Sequence, residues 1–324
     1  MKKFTEIEQF RHVIANVKRR WSYERKLPVL NYTGTVKLHG CNAGISRVNG
    51  KFKCQSRNGL IDVSSDLFGF AKFVEQIDHE KLHDLFNKIS GNQNDSITIF
   101  GEWIGKGIQK AVAVSQIPTK QWVIFSVILN DEYVEFDKDL NIEDLNIFNI
   151  KRIPSYHIEI DFNEPKIATP LLQDKTLEVE AECPWGRQFG VFGTGEGIVW
   201  KCDEYPNEER FWFKIKGLKH KKDAHKKKDM IAVDPEKIAN LEACVDAVLP
   251  QWRLEQGLDA LKEKHLDIDM ENLGVYLQWI NKDVRKEEMD TITASGFEWK
   301  EIVKIINNRA KAFFLSTLKD TLGF

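Results

Sequence analysis

The residues best suited to chemistry are three lysines and two glutamates, spread widely along a chain of 324 residues. Lys37 ends a strand-like run and is followed by a polar turn with Gly40, so its amine is held on a rigid element. A free lysine amine has a pKa of about 10.4. It attacks phosphorus only after it loses its proton, which burial and neighbouring positive charge promote. Lys214 and Lys216 can supply that charge and hold an α-phosphate, because alternate residues of a strand point to the same side.

The two glutamates stand beside glycines at the ends of other predicted strands. Glu102 directly follows Gly101, and Glu196 follows the glycine-containing segment 192–195. One carboxylate can bind a ribose hydroxyl, and another can bind a hard divalent cation together with nucleotide phosphates. Taken singly, each glutamate is also compatible with a solvated strand end. The interpretation depends on four segments in order: K-x-H-G, G-E, E-G-x-V-x-K and K-x-K.

Short strands dominate the first two thirds of the chain. Asn49-Gly50 is a strong signal for a hairpin turn between two of them. Residues 68–90 are predicted to form a helix, because their apolar residues fall on one face. The predicted strands lie at 33–38, 43–48, 51–56, 96–100, 121–129, 157–160, 197–201 and 211–216. This mixture predicts an α+β domain, which we place at residues 1–228.

Helical periodicity replaces the strands after a lysine-rich segment. Asp234-Pro235 combines a favourable N-cap with proline at the first helical position. Residues 229–324 are therefore predicted to form a small all-helical domain. Just before them, residues 214–228 hold eight lysines against one aspartate, in a chain of net charge −2. Such a cluster indicates either a contact with a phosphate backbone or a solvated basic loop.

Composition excludes several other classes of protein. Hydrophobic residues make up 42% and charged residues 30%, which is typical of a globular protein, and no apolar run is long enough to span a membrane. The first eight residues have no apolar stretch after their lysines, unlike a secretory signal. The five cysteines are scattered and form no C-x-x-C pair. They predict neither a disulfide framework nor a zinc cage, and they favour a reducing interior.

The order of the four segments is similar to that of the covalent nucleotidyltransferases, which include DNA ligases, RNA ligases and mRNA-capping enzymes. The segment 37–42, with histidine two and asparagine five residues after the lysine, resembles the nucleophile motif of the phage RNA ligase 2 family. Other segments resemble motifs of that family: S-R-N-G at 56–59, L-F-G-F at 67–70, F-G-E-W-I-G-K-G-I-Q-K at 100–110 and V-I-F at 123–125. The resemblance covers residues 33 to about 228. Over the C-terminal domain the resemblance is limited to the position of that domain and its helical class.

This resemblance implies an ATP-grasp-like nucleotidyltransferase domain of antiparallel sheets with flanking helices. It also implies an enzyme that seals RNA ends with ATP and magnesium or manganese. Lys37 would attack the α-phosphorus of ATP to form lysyl-AMP, AMP would pass to an RNA 5′-phosphate, and a 3′-hydroxyl would then displace it. The implied roles of the other residues are these: His39 assists adenylation; Asn42 and Arg57 engage the phosphate of AMP or of the RNA end; Glu102 holds the ribose; Phe125 stacks on adenine; Glu196 supports the metal; Lys214 and Lys216 contact the α-phosphate.

The chain departs from the family pattern at three places. Ser126 follows Phe125 where aspartate is frequent, and Val36 precedes the nucleophile where some relatives have an acidic residue. The segment 105–107 reads G-K-G where one close pattern reads G-P-G. None of these departures removes a residue that the chemistry needs.

Two other functions use the same residues or the same fold. A capping-type guanylyltransferase would use the same lysine chemistry with GTP. Like a DNA ligase, however, it would carry a strand-rich OB-fold as its second domain, where this chain predicts helices. A catalytically silent nucleic-acid-binding module would not require the full set of lysines and glutamates.

The resemblance favours nicks in duplex RNA or in RNA–DNA hybrids as the substrate. The mechanism requires no protein partner. A phage origin, and with it the host cytoplasm as location, is implied by the resemblance and by nothing in the composition.

Overall fold

The computed structural model describes residues 1–57, 59–109, 112–217 and 235–322, without the side chains of 235–240, 294 and 320–322. The chain divides into two compact units, Met1–His220 and Lys221–Phe324. Most of the lysine-rich run, together with Asn58 and Lys110 of the family-like segments, lies outside the described residues. The predicted domain boundary at residue 228 lies there too, so it stays a prediction.

The first unit alternates short strands with helices. In chain order it contains β1 (Glu8–Gln9), α1 (Phe10–Arg20), β2 (Val29–Lys37), β3 (Cys41–Val48), β4 (Lys51–Ser56), β5 (Leu60–Ile61), α2 (Phe70–Gln76), α3 (His79–Asn87), β6 (Ile97–Ile104), β7 (Gln121–Leu129), β8 (Glu132–Val134), β9 (Ile147–Asn149), β10 (Tyr156–Asp161), α4 (Ala168–Ala181), α5 (Pro184–Gln188), β11 (Gly197–Cys202) and β12 (Phe213–Lys216).

Within the described residues these strands form two sheets. Sheet A has the order β1-β12-β11-β2-β10, and sheet B has the order β5-β4-β3-β6-β7-β8 with β9 beside β7. Neighbouring strands run antiparallel, except that β1 is parallel to β12 and β9 is parallel to β7. The predicted α+β fold of antiparallel sheets with flanking helices, followed by a helical region, is thereby confirmed.

The sheets bury one face and leave the other for the site. Along β2, Tyr32 and Val36 join the core that also contains Val13 and Val17 of α1. Thr33, Thr35 and Lys37 alternate with these buried residues and therefore point to the opposite side. Sheet B packs its outer face on α2 and α3 in a second core.

The predicted helix over 68–90 is two helices, α2 and α3. Asp78 lies between them with an extended backbone, and its side chain accepts hydrogen bonds from the N–H groups of Glu80 and Lys81. A carboxylate in this position caps the start of a new helix. The apolar periodicity continues through the break, so the pattern alone did not reveal it. The hairpin signal was correct, since Asn49 and Gly50 both have positive φ between β3 and β4.

The second unit is helical where it is described. It contains α6 (Pro235–Val248), α7 (Gln251–Lys262), α8 (Leu273–Ala294) and α9 (Trp299–Leu322), packed around a core of their own. Residues 235–322 therefore do not form the strand-rich OB-fold of capping enzymes and DNA ligases. Over the described parts of the chain, no helix is long and apolar enough to cross a membrane.

A buried arginine ties three helices of this unit together. Arg253 of α7 is 1% exposed. Its Nε lies 2.8 Å from Asp283 Oδ2, its Nη2 lies 2.8 Å from Glu288 Oε1, and its Nη1 donates to the Val248 carbonyl. Loss of the arginine would leave Glu288, which is 8% exposed, and the partly buried Asp283 without their cation, which is far more costly than losing a surface pair.

Replacing Arg253 with methionine should lower the free energy of unfolding by about 3–5 kcal/mol, because two carboxylates would lose their cation. Urea unfolding followed by far-ultraviolet circular dichroism measures this. Arg309→Met is the matched control. Arg309 pairs with Asp246 at the surface, and its loss should cost less than about 1 kcal/mol. Equal losses in the two variants would contradict the assignment.

Candidate active site

Strand register brings the predicted residues of three distant segments to one place. Lys37, the last residue of β2, is paired with Gly197 of β11, which is in turn paired with Lys216 of β12. Glu196 directly precedes Gly197 and therefore enters between the two lysines. Gly197 has φ +153°, and a Cβ there would lie 2.1 Å from the Ile215 carbonyl oxygen. Only glycine permits β11 and β12 to approach this closely beside Glu196.

Glu196 is the centre of the cluster. Its side chain is 2% exposed, and Lys37 Nζ donates to its Oε2 over 2.6 Å. His39 Nδ1 lies 3.2 Å from the same oxygen, and Lys216 Nζ lies 3.5 Å from Oε1. One buried carboxylate thus holds three of the predicted site residues.

The surrounding charges determine the ionisation of this carboxylate. Burial by itself would raise the pKa of Glu196, because it disfavours the charged form. The charge of Lys37, the contacts with His39 and the charge of Lys216 outweigh burial and hold the pKa well below its usual range. Glu196 is therefore a fixed negative charge that positions amines, and it is too weakly basic to keep a proton from Lys37.

Glu102 of β6 lies on the other side of the nucleophile turn. Its Oε1 accepts a hydrogen bond of 2.9 Å from the backbone N–H of Gly40. A Cβ on Gly40 would lie 2.2 Å from the Trp103 carbonyl oxygen, so the turn after Lys37 is pressed against β6. Burial raises the pKa of Glu102, against the charges of Lys37 and Arg57 and the Gly40 hydrogen bond, which lower it.

Asn42 and Arg57 flank Glu102. Asn42 is 7% exposed and pairs with Glu102 across β3 and β6, so both side chains lie on one face of sheet B. Its Oδ1 is buried without a hydrogen-bond partner among the described residues. Arg57 follows β4 directly, is exposed, and acts on Glu102 through its charge. A buried amide oxygen without a described partner and an exposed guanidinium beside a carboxylate are suited to a polar ligand.

A cavity of about 840 Å³ lies beside β2, and none of the residues of this cluster lines it. Thr33, Thr35 and Phe125 are among its lining residues. Lys37 does not line it but occupies the next same-face position of β2 after Thr35, about 13 Å along the strand from Thr33. The cavity therefore lies on the same face of β2 as Lys37, and Phe125 is one of its lining residues.

Lys214 and Ser126, two other residues singled out in the sequence, lie on strands of the two sheets. Lys214 is half-buried on the same face of β12 as Lys216, paired with Val199 of β11. Ser126 is 2% exposed and is paired with Phe100, where β6 and β7 shift register.

Lys201 had no predicted role, although it closes the E-G-x-V-x-K segment. Lys201 is paired with Thr33 and lines the same cavity. Its Nζ lies 3.5 Å from the Phe125 carbonyl oxygen and 4.1 Å from the centre of the Trp212 ring. Burial, aided by the charge of Lys151 and opposed by that of Glu135, lowers the pKa of Lys201 to about 8. The signal that could have indicated Lys201 is its place on β11, the strand that pairs with the strand of Lys37.

The side chains of the site could hold a divalent ion only together with a bound ligand. Among the described residues there is no group of three histidine, cysteine, aspartate or glutamate side chains that could hold a metal. The cluster does offer the oxygens of Glu102, Glu196 and Asn42. Magnesium commonly binds one or two carboxylates plus the phosphates of a substrate, so this set fits an ion that arrives with a nucleotide.

Lysine amines around a buried carboxylate form a site suited to nucleotide phosphates. The chain belongs to the RNA ligase family, because the model of that family, described as RNA ligase, matches residues 30–216. The predicted RNA ligase is thereby confirmed at the level of the family. No curated protein matches the chain.

Solved structures of the Naegleria gruberi RNA ligase are similar to this chain at low identity. A variant with ATP and manganese has 14% identity and a TM-score of 0.42, over 68% of this chain and 57% of that chain. A ligand-free variant has 16% identity and a TM-score of 0.45, over 68% and 56%. This chain therefore spans little more than half the length of those ligases.

Acid should weaken the fold through Glu196. Its pKa in the folded protein lies well below the value of about 4.3 for an unfolded glutamate. The stabilisation is therefore fully present above about pH 4.3 and is lost as the pH falls towards the folded value. Urea unfolding at a series of pH values should give a steeper acid loss for the wild type than for Glu196→Gln. Parallel curves would contradict the charge arrangement, and Glu178→Gln, at an exposed pair with Lys175, is the control.

Proposed function

We propose that this chain is an ATP-dependent RNA ligase that joins 3′-hydroxyl and 5′-phosphate ends through lysyl-AMP, with Lys37 as the nucleophile. The observation that carries the proposal is the 2.6 Å contact of the Lys37 amine with buried Glu196, in a chain of the RNA ligase family. The contact fixes the amine of a partly exposed lysine two residues along β2 from Thr35, which lines a cavity of about 840 Å³. A nucleophile positioned in advance lowers the entropic part of the barrier.

In the first step the Lys37 amine attacks the α-phosphorus of ATP. The Lys37 ammonium first releases a proton to solvent, and the neutral amine then attacks. A P–N bond forms, the bond to the bridging oxygen breaks, pyrophosphate leaves, and the nitrogen releases its second proton to solvent. Lys216, with Lys214 on the same face, offers positive charge for the α-phosphate on the side of the cluster nearest β12. His39 shares a carboxylate oxygen with Lys37 and keeps that amine directed towards the site.

Phe125 and Glu102 would hold the base and the ribose. Phe125 presents its ring to the cavity and would stack on adenine. Glu102 is fixed by the Gly40 N–H through one oxygen, which leaves the other for a ribose hydroxyl. Asn42 and Arg57, next to Glu102, would contact the phosphate of AMP or the 5′-phosphate of the RNA end.

Adenylylation itself would change the role of Glu196. A lysine bonded to phosphorus no longer carries a positive charge, so Glu196 loses its closest cation. Its carboxylate then becomes available to another positive charge. Glu196 would hold a magnesium or manganese ion together with the nucleotide phosphates, and such an ion, when bound, neutralises and orients those phosphates.

The two later steps concern the RNA. An oxygen of the RNA 5′-phosphate attacks the lysyl-AMP phosphorus, the P–N bond breaks, and the adenylylated 5′-end forms. A 3′-hydroxyl then attacks the 5′-phosphorus and releases its proton to solvent, the phosphodiester bond forms, and AMP leaves. We propose nicks in duplex RNA or RNA–DNA hybrids as the substrate, with the unit of α6 to α9 and the lysine-rich segment providing much of the grip. The resemblance to the phage RNA ligase 2 family supports this choice, and the five free cysteines agree with a cytoplasmic setting.

Incubation with ATP and magnesium should add the mass of one AMP to the wild-type protein and none to Lys37→Ala. Intact mass after pyrophosphate treatment, which removes any AMP already bound, measures this. Lys72→Ala, at an exposed position of α2, is the matched lysine control and should gain AMP normally.

Two outcomes would overturn the proposal. Uptake of GMP from GTP in place of AMP would identify a capping-type guanylyltransferase. Uptake of neither nucleotide by the stripped wild-type protein would leave a nucleic-acid-binding module without catalysis.

Deleting residues 229–324 should leave lysyl-AMP formation largely intact and abolish the sealing of nicked duplexes. The described Lys37 cluster lies wholly within residues 37–216, and the first unit has hydrophobic cores of its own. A gel assay of nick sealing, beside intact mass for adenylylation, separates the two activities. Nick sealing at the full-length rate would remove the proposed role of the helical unit.

A further inference from the structure

The N-terminal segment is attached to both sheets of the first unit. At its end, β1 extends sheet A, with Glu8 paired with Phe213 and Gln9 paired with Lys214. Near its start, the Lys2 carbonyl accepts a hydrogen bond of 2.6 Å from Gln55 Nε2 of β4, in sheet B. Residues 2–9 therefore run from one sheet to the other.

Two further contacts fasten this segment to sheet B. Lys2 Nζ lies 3.0 Å from Asp131 Oδ1, after β7, and the N–H of Thr5 donates to the Tyr133 hydroxyl of β8 over 3.3 Å. With both ends fixed, the path of the residues between them is defined. Phe4 lies on that path.

Phe4 belongs to an aromatic cluster that includes Phe125, one of the residues lining the cavity. Its ring centre is 5.0 Å from that of Phe125, edge to face, and 5.3 Å from that of Phe100. Trp212 stacks on Phe4 at 6.3 Å. Offset and edge-to-face pairs at these distances are attractive and directional, so Phe4 restricts the orientation of the Phe125 ring.

We propose that Phe4 is a positioning residue that holds the Phe125 ring in place for the base of the nucleotide. This inference rests on the proposed stacking of Phe125 on adenine. Phe4 is absent from the residues lining the cavity, so it acts through Phe125 and makes no contact with the base. The same cluster holds Lys201, since Trp212 lies on one side of Phe4 and under the Lys201 amine.

A pre-oriented ring contributes to binding in the ground state and in the transition state alike. Loss of such uniform binding raises KM and leaves the rate at saturating substrate unchanged. A role confined to stability would lower the amount of folded enzyme and leave KM as it was. The KM of ATP in lysyl-AMP formation therefore separates positioning from mere packing.

The test is the rate of lysyl-AMP formation against ATP concentration for the wild type, Phe4→Ala, Phe4→Tyr and Phe52→Ala. Phe4→Ala should raise the KM of ATP on the order of three- to tenfold, the worth of an aromatic pair, with the saturating rate unchanged. Phe4→Tyr keeps the ring and should restore the KM. Phe52, which packs on Phe86 and His83 on the outer face of sheet B, is the matched control and should leave the KM unchanged.

A double variant identifies the route of the effect. If Phe4 acts through Phe125, Phe4→Ala should raise the KM no further in a Phe125→Ala background. An unchanged KM in Phe4→Ala, or an additive effect in the double variant, would overturn the inference while the wild type still forms lysyl-AMP. A wild type that takes up no AMP would instead remove the proposed function on which the inference rests.

Discussion

The site depends on one buried carboxylate. Glu196 is almost fully shielded from water, and an isolated charge in such a place would be strongly disfavoured. It is tolerated because Lys37, His39 and Lys216 surround it. The attraction between this carboxylate and the two lysines therefore keeps Glu196 ionised and also keeps the lysines close together. The ion pairs of Glu196 thus contribute to stability and also hold the proposed nucleophile in position.

Two glycines allow this charge cluster to form. Gly197 permits β11 to lie against β12, and Gly40 permits the nucleophile turn to lie against β6 of the other sheet. The first brings Glu196 between Lys37 and Lys216, and the second brings Glu102 onto the backbone after Lys37. Residues from both sheets thus meet within hydrogen-bonding distance, while the cavity stays open beside Phe125.

Adenylylation would change the electrostatics of this arrangement. Before the reaction Lys37 is the nearest partner of Glu196, and afterwards its nitrogen would carry no charge. A carboxylate that holds the nucleophile in one state would thus attract a different cation in the next. The ring contacts of Phe4 are with other aromatic side chains, so its influence on the nucleotide would persist through the reaction.

The sequence by itself predicted which residues could do chemistry, and the tertiary structure decided which of them are in contact. Period-two alternation places Lys214 and Lys216 on one face, because that signal is local to a single strand. The order of the motifs along the chain marks Lys37, Glu102 and Glu196, and this order is visible without the fold. Lys201 and Phe4 were not found in this way. Their positions depend on the register of β2 with β11 and on the parallel pairing of β1 with β12, between segments about two hundred residues apart. The split of α2 from α3 was missed for the opposite reason, since one capping aspartate overrides a periodicity that continues through it.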